Sequence, residues 1–133
     1  MTIGKWAALG FLVLLFVGSG IGHFAETEAY VRLMPPYLPA HRELVLVSGA
    51  LEILGGVGLM IPRLRRWAGI GLIALLVAVF PSNIYIALND VPVAGHDLPG
   101  WVHALRLPLQ GVLIWMTWWA TRARSAAKSR RRR

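Results

Sequence analysis

The sequence predicts an all-α fold, a bundle of four transmembrane helices. The 133-residue chain is 56% hydrophobic and only 15% charged, whereas soluble domains carry about 25% charged residues. Its apolar residues are concentrated in four runs, at residues 6–22, 44–61, 67–88 and 102–121. At a rise of about 1.5 Å per residue, a helix over each run comes close to the membrane hydrocarbon thickness of about 30 Å. Runs of this length satisfy their backbone in lipid only as helices.

The first run follows a single basic residue, Lys5, and ends among small residues at Gly18, Ser19 and Gly20. A cleaved signal peptide has the same pattern and would leave three spans, so cleavage stays open as an alternative. An uncleaved first helix gives an even number of spans, which agrees better with the distribution of basic residues.

The remaining three runs are also typical of membrane helices. The second run is rich in glycine, which allows close approach of a neighbouring helix. The third contains Pro81, which removes one helix hydrogen bond and frees a carbonyl near Val77. The fourth ends in a tryptophan-rich stretch, as expected where a helix meets the membrane interface. A proline-rich segment between the first two helices is expected to lie as a lid over the bundle or to be a plain connector.

The distribution of lysine and arginine predicts the orientation. With the N-terminus inside, eleven of the fourteen basic residues lie on the inner side and three on the outer side. Because basic residues favour the cytoplasmic side, both termini are expected in the cytoplasm and the protein in the plasma membrane or cell inner membrane. We expect one domain over residues 1–121 and a disordered basic tail over residues 122–133 that contacts anionic lipid.

Polar residues within the apolar runs are the candidate functional site. A carboxylate such as Glu52 is costly in the membrane unless it is paired, protonated or in a polar cavity. Counting from the outer helix ends places Glu52 and Gln110 about 12 Å deep, Asn83 about 8 Å and Arg106 about 6 Å. We therefore expect Glu52 to pair with Arg106, with the two amides completing the hydrogen bonds. His23 and His103 are expected on the same side of the membrane.

Three functions fit this cluster. A polar pocket in the outer half of the bundle suits the head group of a quinone, with Glu52 handling protons and Arg106, Asn83 and Gln110 holding an oxygen. The same residues would serve as a structural clamp in a membrane scaffold or assembly factor. A small proton-coupled transporter is the third hypothesis.

Composition restricts the chemistry of the chain itself. The absence of cysteine excludes thiol redox chemistry, disulfides and cysteine-ligated clusters within the chain. The histidine positions favour neither haem nor a metal site. A net charge of +8 is explained by topology signals, so no nucleic-acid partner is expected. Any electrons would have to come from a redox partner protein.

The order of the motifs GIGHF, MPPYLP, LVLVSGALEILGGVGLMIPRLRR, AVFPSNIY and RLPLQ resembles the DoxX-like family of small four-helix membrane proteins. The resemblance covers about residues 18–119. The family pattern would include His23, Pro36, Glu52, Pro81, Asn83, Arg106 and Gln110, with Ser82 in place of an expected alanine. The resemblance implies association with a quinone-reducing membrane redox complex, but no activity of the chain alone.

Overall fold

The computed structural model describes residues 2–89, 91–92 and 99–122, and every regular element in these ranges is a helix. Four helices are long, and one short helix lies between the first two. They are α1 (Ile3–Ala25), α2 (Thr27–Val31), α3 (His41–Met60), α4 (Arg65–Asn89) and α5 (Gly100–Thr121). The prediction of an all-helical fold is therefore confirmed.

The four long helices pack in a closed ring. α1 lies against α3 and α5, and α4 completes the ring by packing against the same two helices. Leucine and phenylalanine side chains fill the centre, among them Leu12, Phe16, Leu59 and Leu72, each no more than 2% exposed. Each helix thus presents one face to the core and leaves the rest of its apolar surface outward.

Three of the described helices, α1, α3 and α4, are long and apolar enough to cross a membrane. Their outward faces carry large apolar side chains, and Leu14 and Leu88 are 77% and 78% exposed. Such surface is unfavourable in water and suits lipid. α5 is equally long but is not among the three, because His103, Arg106 and Gln110 lower its hydropathy. These three helices agree with the prediction of a helical membrane protein.

Basic and aromatic residues meet at one end of the ring, which we call the basic end. The Lys5 ammonium group donates to the backbone oxygen of Arg122 at 3.2 Å and lies 5.6 Å from the centre of the Trp119 ring. The Arg65 guanidinium lies 5.4 Å from the centre of the Trp6 ring. These contacts bring the start of α1, the α3–α4 turn and the end of α5 to the same end of the molecule.

At the opposite end, the segment between the first two apolar runs, which the sequence left open as a lid or a plain connector, contains the short helix α2. The Thr27 hydroxyl donates to the backbone oxygen of His23 at 2.8 Å, which continues the chain from α1 into α2. The segment then packs onto the bundle, because Pro35 is fully buried and its carbonyl contacts His41 Nε2 at 2.9 Å. This packing agrees with a lid.

Two predictions fall outside the described residues. The loop predicted between the third and fourth apolar runs lies partly within residues 93–98. Apart from residue 122, the basic tail lies in residues 123–133.

Candidate functional site

A partly open cavity of about 300 Å³ is lined by side chains from all four long helices. Its polar lining residues are Ser19, Glu52, Asn83, Arg106 and Gln110. Its apolar lining residues are Leu15, Phe16, Leu76, Leu109 and Leu113. The structure thus brings four of the six sequence-predicted residues to one cavity. His23 reaches it through Glu52, and His103 is not in its lining.

Glu52 binds across the α1–α3 interface. Its carboxylate oxygen Oε2 lies 3.2 Å from His23 Nε2, and the Ser19 hydroxyl donates to both carboxylate oxygens at 3.3–3.4 Å. Ser19 and His23 are four residues apart, so they lie on the same face of α1. The predicted ion pair of Glu52 with Arg106 is wrong, because the structure pairs Glu52 with His23 instead.

Two glycines allow this contact. A Cβ atom added at Gly49 would lie 2.5 Å from the Cβ atom of His23, and one added at Gly20 would lie 2.6 Å from the backbone oxygen of Gly49. Both distances are shorter than real contacts permit, so the two helices meet backbone to backbone here. This close approach lets the His23 ring reach the carboxylate of Glu52.

The hydrogen bonds of His23 define where its proton lies. Nδ1 is 2.9 Å from the backbone oxygen of Val45, and because a carbonyl only accepts, Nδ1 carries a hydrogen. Nε2, on the other side of the ring, faces the carboxylate. The Nε2 atom and the Glu52 carboxylate are thus within hydrogen-bond distance of each other, and Glu52 is one of the residues that line the cavity.

Two further side chains hold the His23 ring. The Ser48 hydroxyl lies 3.1 Å from Nδ1 and donates to Val45 O at 3.0 Å. The Tyr30 ring from α2 packs against the imidazole, with ring centres 4.1 Å apart and the ring planes tilted by 37°. In the sequence, Ser19 lies one helical turn before His23, and this spacing could have indicated that both side chains face the same site. No sequence pattern indicated Tyr30.

Gln110 links α4 and α5 on the other side of the cavity. Its side-chain oxygen accepts from the Asn83 amide, and its side-chain nitrogen donates to the backbone oxygen of Leu76. Leu76 precedes Val77, the residue whose helix partner would be Pro81, so Gln110 bonds the backbone next to the proline position. The two amides therefore bond to each other and to the α4 backbone, whereas the sequence analysis expected them to complete the hydrogen bonds of Glu52 and Arg106.

Arg106 and His103 contrast with these paired residues. Arg106 Nη1 is buried and has no hydrogen-bond partner among the described residues. His103 is 1% exposed, and neither of its ring nitrogens has a partner in the same part of the chain. Arg106 is also one of the residues that line the cavity.

We expect replacement of Gln110 by leucine to lower the free energy of unfolding by about 1–2 kcal/mol, because the half-buried Asn83 amide loses its acceptor and the backbone oxygen of Leu76 loses its side-chain donor. The measurement is denaturant unfolding in detergent micelles. Asn89→Leu is the control, since Asn89 is an exposed amide that bonds only within α4. Equal stability of wild type and Gln110→Leu would contradict a role in joining the helices.

One family model matches the chain over residues 12–122, and its description is "Domain of unknown function (DUF8561)". No curated protein and no solved structure matches the chain significantly. The match spans α2, α3, α4 and α5 and most of α1, and so includes every residue of the cavity.

Proposed function

We propose that this chain, which belongs to the DUF8561 family, is a membrane subunit that binds the head group of a quinone and handles a proton at its cavity. The observation that carries the proposal is that Arg106, whose buried Nη1 has no partner among the described residues, lines the same cavity as Glu52. A buried charged donor without a partner is costly unless an acceptor is supplied. A quinone oxygen is such an acceptor.

The cavity suits a small polar head on an apolar body. Its volume of about 300 Å³ is at the lower end of the range for ligand pockets, about 300–1,000 Å³. Half of its lining residues are leucine or phenylalanine and the others are polar. An isoprenoid tail would leave the cavity into the surrounding lipid.

The polar residues at the cavity would have separate roles. Arg106 would donate to one oxygen of the head group. The His23–Glu52 pair would supply or receive a proton at the carboxylate, which lies at the cavity wall. Asn83 and Gln110 would hold α4 and α5 at the spacing that keeps the cavity open. Because the chain lacks cysteine, the redox chemistry belongs to the quinone and to a partner protein.

The same proposal includes the membrane arrangement. All four long helices would cross the plasma membrane or cell inner membrane, with both termini in the cytoplasm. The meeting of Lys5, Arg65 and Arg122 at the basic end supports this orientation, since basic residues favour the cytoplasmic side. The resemblance to DoxX-like proteins supports association with a redox complex.

A second candidate function is a membrane scaffold without a ligand. The observation favouring it is that both polar groups bridge helices: Glu52 joins α3 to α1, and Gln110 joins α5 to α4. Interhelical hydrogen bonds of this kind stabilise membrane bundles on their own. The unpartnered Arg106 donor is the feature that a clamp leaves unexplained.

The test is quinone extraction from protein purified in mild detergent, with mass spectrometry to quantify the quinone per chain. We expect wild type to retain quinone, and Glu52→Gln and Arg106→Gln to retain at least tenfold less at comparable thermal stability.

Matched controls are Glu28→Gln and Arg42→Gln. These residues form an exposed ion pair at 2.6 Å, with side chains 69% and 60% exposed, so the same chemical changes are made away from the cavity. Both controls are expected to retain quinone as wild type does. Absence of quinone from wild type, together with sharp destabilisation of both cavity variants, would contradict the proposal and favour the scaffold.

A further inference from the structure

A second feature of the molecule lies at the basic end, away from the cavity. An apolar groove of about 400 Å³ runs between α1 and α3 and is lined by Trp6, Leu9, Gly10, Val13, Leu14, Leu59, Met60 and Arg65. Seven of these eight residues carry no charge, and the groove ends at the single charged one. It is open on the outer surface of the ring, where Leu14 is 77% and Met60 58% exposed. In a membrane protein this surface faces lipid acyl chains.

Arg65 is held in place at the end of this groove. Its Nε–H donates to the backbone oxygen of Leu59 at 2.8 Å, and its guanidinium lies 5.4 Å from the centre of the Trp6 ring. With Nε engaged, the two terminal nitrogens are the donors left for another group. A guanidinium fixed in this way is suited to a phosphate, whose oxygens accept two parallel hydrogen bonds.

The surroundings of Arg65 are strongly basic. Arg63 and Arg66 are exposed in the same turn, and Lys5 lies at the same end of the molecule. The acidic residues among those described lie in the cavity or at the opposite end of the ring: Glu26, Glu28, Glu43 and Glu52. The positive charge of the basic end is therefore not neutralised by the described part of the chain, and it is complementary to an anion.

We propose that this groove binds one anionic phospholipid, with its phosphate on Arg65 and an acyl chain between α1 and α3. The proposal is independent of quinone binding, because no residue of the groove lines the cavity. It differs from general attraction of basic residues to anionic membranes, which would treat Arg63, Arg65 and Arg66 alike.

A second groove supplies the contrast. It lies between α3 and α4, has a volume of about 430 Å³ and is lined by Leu51, Leu54, Gly55, Gly58, Leu64, Trp67, Ala68, Gly71 and Leu72. It is of similar size, but no charged residue lines it. Apolar surface alone would bind neutral and anionic lipids equally in both grooves, whereas the proposal requires a preference for anionic lipid in the groove of Arg65.

The glycines of the two grooves allow a matched pair of variants. A Cβ atom added at Gly10 or at Gly71 would have no atom within 4 Å outside its own helix. The Cβ atom of a leucine at either position therefore meets no neighbour, and the rest of the side chain is directed to the groove that the glycine lines. Gly10→Leu fills the groove of Arg65, and Gly71→Leu fills the other groove.

The experiment is titration of the full chain in neutral detergent with phosphatidylglycerol, with phosphatidylcholine and with inorganic phosphate, followed by native mass spectrometry. We expect wild type to retain one phosphatidylglycerol with at least tenfold preference over phosphatidylcholine. Arg65→Gln and Gly10→Leu are expected to weaken this binding at least tenfold, and Arg63→Gln and Gly71→Leu by less than twofold.

Each other outcome overturns the proposal. Equal weakening by Arg63→Gln and Arg65→Gln would mean diffuse electrostatic attraction. Equal retention of the two lipids would mean apolar adsorption without phosphate recognition. Inorganic phosphate that displaces the lipid completely at low concentration would mean an anion site without the acyl chain. If the Arg65→Gln variant does not fold, the lipid binding of Gly10→Leu tests the proposal, because this variant keeps the hydrogen bond of Arg65 to the backbone oxygen of Leu59.

Discussion

Replacement of His23 by leucine is expected to lower the free energy of unfolding by about 3 kcal/mol, because it leaves a buried carboxylate without its partner. The His23 and Glu52 side chains are 10% and 15% exposed, so water compensates little of the loss. Ser19 remains as the one hydrogen-bond donor to Glu52, and uptake of a proton by Glu52 limits the cost. Denaturant unfolding in micelles measures the change.

A double-mutant cycle separates this pair from the packing around it. Glu52→Leu alone and the double variant His23→Leu/Glu52→Leu are compared with His23→Leu. A buried ion pair replaced by two apolar residues often costs little, so the double variant should be more stable than His23→Leu alone. Additive effects of the two substitutions would mean that the two side chains do not interact.

The positions of the polar residues along their helices could be compared from the sequence, since the rise along a helix is fixed. That rise placed Glu52 and Gln110 at similar depths, and both line the cavity in the structure. Depth does not fix the rotation of each helix about its axis or which helices are neighbours. Helix rotation and the choice of neighbouring helices depend on how the helix faces pack together. A single sequence indicates this packing only through the positions of its small residues.

The partner of Glu52 shows this limit. Arg106 was expected from its charge and depth, but it lies on α5, whereas α3 packs against α1 and α4. The glycines at positions 20 and 49 let α1 approach α3 so closely that His23, and not Arg106, contacts the Glu52 carboxylate. The sequence contained both glycines, but their pairing across the interface is a property of the folded chain.

The end of α1 and the short helix α2 were also beyond the sequence. The loop prediction relied on three prolines, which lie after residue 34, while α2 covers Thr27–Val31. This segment is polar and short, and its helix is fixed by contacts with α1 and α3. A five-residue helix has little stability of its own, so tertiary contacts determine it.

The tight contact between α1 and α3 gives the other large expected effect. We expect Gly49→Ala to lower the free energy of unfolding by about 2–3 kcal/mol, toward the upper end of overpacking costs. Its new methyl group would lie 2.5 Å from His23 Cβ and 3.1 Å from the backbone oxygen of Gly20. Neither atom is the end of a flexible side chain, so relief requires the two helices to separate. Denaturant unfolding in micelles gives the stability.

The matched control for Gly49→Ala is Gly18→Ala on α1, where an added Cβ atom meets nothing within 4 Å. Alanine favours helix over glycine, so this variant should be as stable as wild type or slightly more stable. Separation of α1 from α3 would also move His23 away from Glu52, so Gly49→Ala should lose quinone even where it still folds. A Gly49→Ala protein with wild-type stability and wild-type quinone content would show that the close approach of the helices does not position the His23–Glu52 pair.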